Sequence, residues 1–245
     1  MATKIWFLGV VLTAMLAAAT ASINCLSWRL AVETNNLIKW KVVPKACGSY
    51  VSNYMEGLQY SDDKQEVADA AWSYAQTLPL ISQVTEYSDN QIQAGGKDVW
   101  LLSLDQTALS NLPYYREHGY GTEAYDETAY NEWVAEGTAP AIPETLELYN
   151  KLISIGIKVV FLSGRSADYM DVTIANLKSQ GYDNWHKIIL KGEEYEGKSS
   201  SYFKNAERAK LVKEGYKIVG NMADHWANGD NIGDRFFKFP NPMYS

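Results

Sequence analysis

Four short apolar runs, separated by segments of helical periodicity, limit what this chain can fold into more than any other feature. They are Val99-Trp100-Leu101-Leu102, Lys158-Val159-Val160-Phe161-Leu162, Ile188-Ile189-Leu190 and Tyr216-Lys217-Ile218-Val219. A run apolar at successive positions, rather than at alternate ones, reads as a strand buried on both faces. Between the first two runs lies a helix opened by Pro143 and closed by Gly156, with Leu146, Tyr149, Leu152 and Ile153 on its apolar face. A second helix runs from Ser166 as N-cap to Gly181, and a third from about Asn205 to Glu214, stopped by Gly215. Phe236-Phe237 is a candidate last strand. Strands alternating with helices in this order predict an α/β fold with a Rossmann-like, mostly parallel sheet covered on both faces. The 245 residues, 47% of them hydrophobic, supply one sizeable core or two modest ones. Such sheets bind ligands beyond the carboxyl ends of their strands.

The remainder of the chain is read around that sheet. From Ser22 to about Ala94 the pattern is helical, and Val67, Ala71, Tyr74 and Leu78 share one face as core residues. Gly95-Gly96 then breaks the pattern. The stretch 111–141, rich in Tyr and interrupted by Gly119 and Gly121, follows the first strand tip, where an insertion would cover a site at the strand ends; it is read as a small cap. At the N-terminus Lys4 precedes an apolar run from Ile5 to Leu16, and Ala19-Thr20-Ala21 supplies the small-x-small pattern of a signal peptide cleaved after Ala21. The expected organisation is thus a signal peptide over 1–21 and one domain over 22–245, with a helical extension over 22–96. Beyond the N-terminus no run approaches the roughly 20 apolar residues of a bilayer-spanning helix. A formal charge of −7 without clustered Lys and Arg argues against a nucleic-acid partner.

Cys25 and Cys47 are the only cysteines. In an exported chain two thiols most simply close one disulfide, and two Cys without nearby His or Cys partners are a weaker case for zinc. No Asn-x-Ser/Thr acceptor occurs, so N-glycans are not expected.

The groups just past the strands carry the chemistry. They are Ser103-Leu104-Asp105-Gln106-Thr107, then Ser163-Gly164-Arg165, then Lys204 at a helix start, then Asp224. Hydroxyls, a turn with free N–H groups and a lysine suit a phosphate's oxygens, while adjacent acids suit a hard cation such as Mg2+. Taken singly, each is more readily a turn, cap or surface residue; their order on successive strand ends is what gives them weight.

That order resembles the haloacid-dehalogenase-like phosphatases, with Asp-x-Asp-x-Thr, then Ser or Thr, then Lys, then an acidic pair. More narrowly the chain resembles the plant class B acid phosphatases and the legume vegetative storage proteins of the stem and leaf glycoprotein type. The segments carrying the likeness include Cys25-Leu26-Ser27-Trp28-Arg29-Leu30-Ala31-Val32-Glu33, Leu109-Ser110-Asn111-Leu112-Pro113-Tyr114-Tyr115, His118-Gly119-Tyr120-Gly121, Phe161-Leu162-Ser163-Gly164-Arg165, Ala206-Glu207-Arg208-Ala209-Lys210-Leu211-Val212 and Pro240-Asn241-Pro242-Met243-Tyr244. The resemblance implies that position 103 is the attacking position and Asp105 the acid. It implies that Ser163, Gly164 and Lys204 hold phosphate, and that Asp224 and Asn228 stand at the metal positions. Two departures follow. Ser103 replaces the attacking carboxylate, and a Ser hydroxyl needs a neighbouring base to attack. Ala223-Asp224-His225-Trp226-Ala227-Asn228 stands for Gly-Asp-x-Trp-x-Asp, so the second acid is an amide. The stretch from Trp226 to Pro240 is slightly short for the family, which makes Asp230 the alternative second acid. His225 is a candidate base near pH 7, although a loop histidine beside a tryptophan is more often a surface residue.

The expected protein is therefore an amino-acid reserve with a degenerate acid phosphatase site, without a cofactor or with only weak Mg2+ binding. The resemblance further implies a vacuolar protein, or an extracellular one, that pairs as a homodimer or with a close paralogue. Two rivals remain: a weakly active acid phosphatase, and a protein that binds phosphate esters without turnover.

Overall fold

The computed structural model describes residues 23–38, 40–78, 97–226 and 233–243. The signal segment, the Gly95-Gly96 break, Asn228 and Asp230 lie outside the described residues. Five strands form one sheet: β1 (Asp98–Leu102), β2 (Lys158–Ser166), β3 (Lys187–Lys191), β4 (Lys217–Ala223) and β5 (Phe236–Lys238). Their order is β3-β2-β1-β4-β5, and every neighbouring pair is parallel.

The apolar runs split between the two faces by strict alternation. Val99, Leu101, Val160 and Leu162 pack with Phe203 and Leu211. Trp100, Leu102, Val159 and Phe161 pack on the opposite side with Ala71, Leu148, Tyr149 and Leu177. The first face is covered by α8 (Ser200–Lys213); the second is covered by α3 (Leu58–Ala75), α6 (Pro143–Ser154) and α7 (Met170–Ser179). This two-sided burial is why the strands read as continuous apolar runs instead of alternating ones. Gly220 of β4, paired with Trp100 of β1, leaves room for that ring, which a Cβ there would strike. Pairing of β1 with β4 shifts register at that level, between Val99 and Trp100.

The helix boundaries follow their caps. Pro143 opens α6, and Gly156 (φ +83°) lies past its end. Ser166 caps a short 3-10 turn that leads into α7, instead of the α-helix directly. The third helix begins earlier than its sequence pattern suggests. Ser199 caps α8 by accepting from Tyr202 N at 3.1 Å, so Lys204 lies in the second turn and not at the helix start.

Residues 111–141 carry α4 (Leu112–Glu117) and α5 (Glu127–Glu136), whose aromatic side chains Tyr114, Tyr130 and Trp133 pack together. The N-terminal part holds α1 (Cys25–Glu33) and α2 (Gly48–Met55). Cys25 and Cys47 are joined by a disulfide, inside a cluster with Trp28, Val43, Val51 and Tyr54 that also buries Met243 near the far end of the chain.

Candidate active site

The order of the strands makes β1 the switch point: the chain runs outward from β1 through β2 to β3, then crosses to β4 on the other side. Loops leaving neighbouring strands there part and open a crevice at the carboxyl ends. A cleft of about 360 Å3 lies at that point, and Ser103, Asp105, Ser163, Gly164, Lys204 and Asp224 all line it. Four segments distant in sequence are thus brought to one place, as the strand-end reading expects.

Ser103 follows β1 directly, with its N–H donating to Met222 O at 3.0 Å across β4. It is 6% exposed. Among the described residues no imidazole, amine or carboxylate is hydrogen-bonded to its hydroxyl. A Ser hydroxyl needs such a base to act as a nucleophile, and no described base is bonded to Ser103.

Asp105 is the most heavily bonded group in the cleft. Arg165 Nε donates to Oδ1 and Oδ2 at 3.0 and 3.1 Å, and Nη2 donates to Oδ1 at 2.6 Å. Tyr130, on the cap helix α5, donates to Oδ1 at 2.6 Å, and Ser163 Oγ donates to Oδ2 at 3.1 Å. Burial by itself raises the Asp105 pKa, but the Arg165 charge and these hydrogen bonds outweigh it and hold the carboxyl at about 2. In the ligand-free chain Arg165 and these hydrogen bonds thus favour the ionised form of Asp105.

Ser163-Gly164-Arg165 sit where regular pairing of β2 with β3 lapses, between Leu162 and Ser166. A Cβ at Gly164 would lie 2.8 Å from Ser200 Oγ, so any side chain there would make that hydroxyl at the start of α8 turn aside. Lys204 reaches the cleft from that helix and forms no ion pair with a described residue. Burial pushes its pKa down, although Asp224 and Asp105 pull it back up.

Asp224, just past β4, donates its N–H to Thr107 Oγ1 at 3.0 Å and so ties the β1 and β4 loops together. Its Oδ2 accepts from Asn241 Nδ2 at 2.8 Å and lies 3.2 Å from His225 Nε2. Burial opposes ionisation here too, but His225, Asn241 and Lys204 together keep the Asp224 pKa below its ordinary value. His225 is therefore turned onto the candidate site's acid.

A divalent magnesium ion needs a set of hard oxygen ligands, usually including one or two carboxylates. Among the described residues no group of three His, Cys, Asp or Glu is placed to hold a metal ion. Ser103 contributes a neutral hydroxyl, Asp105 is engaged by Arg165, and one oxygen of Asp224 already serves Asn241. The described residues do not fit such an ion.

Four contributors to this arrangement carry no role in the sequence reading. Arg165 stands within the strand-tip tripeptide, yet nothing in the order of residues pairs it with an acid 60 positions earlier. Tyr130 is one of many cap tyrosines. Asn241 lies beyond the last strand, in a segment that stands out only by its likeness to the family. Glu33 ends α1 and is remote from the strand tips, but its carboxylate accepts from Lys238 Nζ at 2.6 Å and from Asn241 N at 2.9 Å. Trp226 Nε1 donates to Glu33 O at 2.7 Å. The extension thereby grips both chain segments that present Asp224.

Known proteins share this chain's sequence over most of its length. Residues 11–245 match the family of HAD superfamily, subfamily IIIB (acid phosphatase) proteins. The chain is 42% identical to acid phosphatase 1 of Solanum lycopersicum over 224 residues, which cover 91% of this chain and 83% of that one. It is 43% identical to the stem 28 kDa glycoprotein of Glycine max, covering 93% and 85% of the two chains. With vegetative storage protein 1 of Arabidopsis thaliana the identity is 39%, over 90% and 78%. On this likeness over nearly its whole length, and with a parallel sheet at whose strand ends the polar groups meet in one cleft, the chain belongs to the acid phosphatases of subfamily IIIB in the HAD superfamily.

Proposed function

We propose that this protein is a vegetative storage protein: an amino-acid reserve built on an acid phosphatase fold whose site no longer turns over. The observation that carries the reading is Ser103 at the position where the family's reaction needs a carboxylate, with no base bonded to it among the described residues. Asp105 adds to it, because Arg165, Tyr130 and Ser163 already engage the carboxylate that would serve as the acid. Relatives bearing storage and stem-glycoprotein names agree with the assignment.

The N-terminal sequence pattern supports export, and the same likeness supports the vacuole and the pairing. The N-terminal apolar run exports the chain, Ala21 is the last residue removed, and the protein collects in the vacuole. It pairs there with a second copy or a close paralogue. No helix among the described residues is long and apolar enough to cross a membrane. Although some relatives are called glycoproteins, this chain offers no N-glycan acceptor.

Tissue abundance tests the storage role. The protein should accumulate under generous nitrogen supply and be consumed when nitrogen is withdrawn. A level that stays constant through both regimes contradicts the proposal.

A further inference from the structure

The donors around Asp105 form a nest shaped for an anion. Arg165 Nε and Nη2, Tyr130 Oη and Ser163 Oγ all point at one carboxylate, over distances of 2.6 to 3.1 Å. Arg165 is 7% exposed, and its Nη1 is braced against Thr173 Oγ1 of α7 at 3.4 Å. A guanidinium so buried requires an anion, and its fork fits the oxygens of a phosphate as well as those of a carboxylate. The nest opens on the cleft that Lys204 also lines.

We propose that Arg165, Tyr130 and Ser163 form an oxyanion site that Asp105 fills in the ligand-free chain, so that Asp105 acts as a built-in competitor of a phosphate dianion. This rests on reading the cleft as a phosphoryl-binding site, though not on its lack of turnover. Ser163, expected from sequence to hold phosphate, is bonded instead to Asp105. A ligand must therefore displace Asp105 before it gains these donors, and its apparent affinity falls by the fraction of time the nest is vacant.

Calorimetric titration of the intact protein with inorganic phosphate, repeated with phenyl phosphate, tests the idea. Asp105→Ala removes both the charge and the bulk of the competitor, and should bind phosphate at least about tenfold more tightly than the natural protein, a modest share of a charge-assisted pair. Asp105→Asn removes only the charge and should gain less. Adding Arg165→Gln to Asp105→Ala should abolish the gain. A gain for both titrants shows that the nest takes a phosphoryl group, esterified or not; a gain for phosphate alone restricts it to the free anion. Should Asp105→Ala fold poorly around its uncompensated guanidinium, phosphate should raise the melting temperature of Asp105→Asn more than chloride does at equal ionic strength. If neither variant binds phosphate better than the natural protein, or if the gain survives loss of Arg165, the proposal is wrong. Turnover measurements bear on the storage reading, and binding measurements on the nest, so either can fail alone.

Discussion

On the storage reading, Ser103 and the Asp105–Arg165 pair bear on two different parts of one reaction, and each can be probed separately. Ser103→Asp returns a carboxylate to the cleft and should raise monoester hydrolysis by at least about tenfold, yet well short of an active enzyme because such groups act as a unit. Adding Asn228→Asp should raise it further, and by more than that change gives alone, since a second carboxylate is useful only beside a nucleophile. Steady-state turnover of both single variants and the double variant checks this. If the double variant is no faster than the natural protein, Asp230 is the relevant acid or the cradle has decayed elsewhere. The Asp105 pair also leaves a signature in stability. Its carboxyl titrates near pH 2 when folded and near pH 4 when unfolded, so on acidification the unfolded chain takes up its proton first. The contribution, on the order of 2 kcal/mol, is complete above about pH 5 and is lost as the pH falls toward 2. Denaturant titrations at pH 6 and pH 3 should show the natural protein losing more stability than Asp105→Asn. Equal losses would mean that Arg165 does not hold the carboxyl down.

Among the elements, the N-terminal extension has the most to do with the site. Helix α1 is bound at one end by the Cys25–Cys47 disulfide and at the other by Glu33, which takes hydrogen bonds from Trp226, Lys238 and Asn241. Glu33→Ala removes two charge-assisted or buried bonds and should destabilise the protein by about 2 to 4 kcal/mol. A urea midpoint within error of the natural protein's would show that the grip contributes nothing. Mass spectrometry of the unreduced protein should yield Cys25 and Cys47 in one linked peptide pair, and two alkylatable thiols would overturn that pairing. Strands and most helices were legible because burial on two faces and capping residues leave local marks. The start of α8 was not, since Ser199, Ser200 and Ser201 read as a loop until one is seen to cap. Glu33 was illegible for a different reason: its partners lie about 200 positions away, and no local pattern encodes them.

At the scale of the molecule, the order of polar residues along the chain was enough to foresee one cleft, because a parallel sheet places every strand's carboxyl end on the same edge. What the order could not convey was how those residues spend their hydrogen bonds. In the sequence Ser163 and Asp105 look like separate tools, one for phosphate and one for proton transfer, but they are bonded to each other within a nest that Arg165 dominates. The family's scaffold persists, and on the storage reading the groups that perform its reaction are replaced or engaged. The most direct measurement is steady-state hydrolysis of a general phosphate monoester by the purified mature protein, at acid pH with added magnesium and beside an active class B relative. The account predicts a turnover number lower by several orders of magnitude, as loss of a nucleophile costs in other hydrolases. A turnover number within about tenfold of the active relative, a span far smaller than that cost, would contradict it.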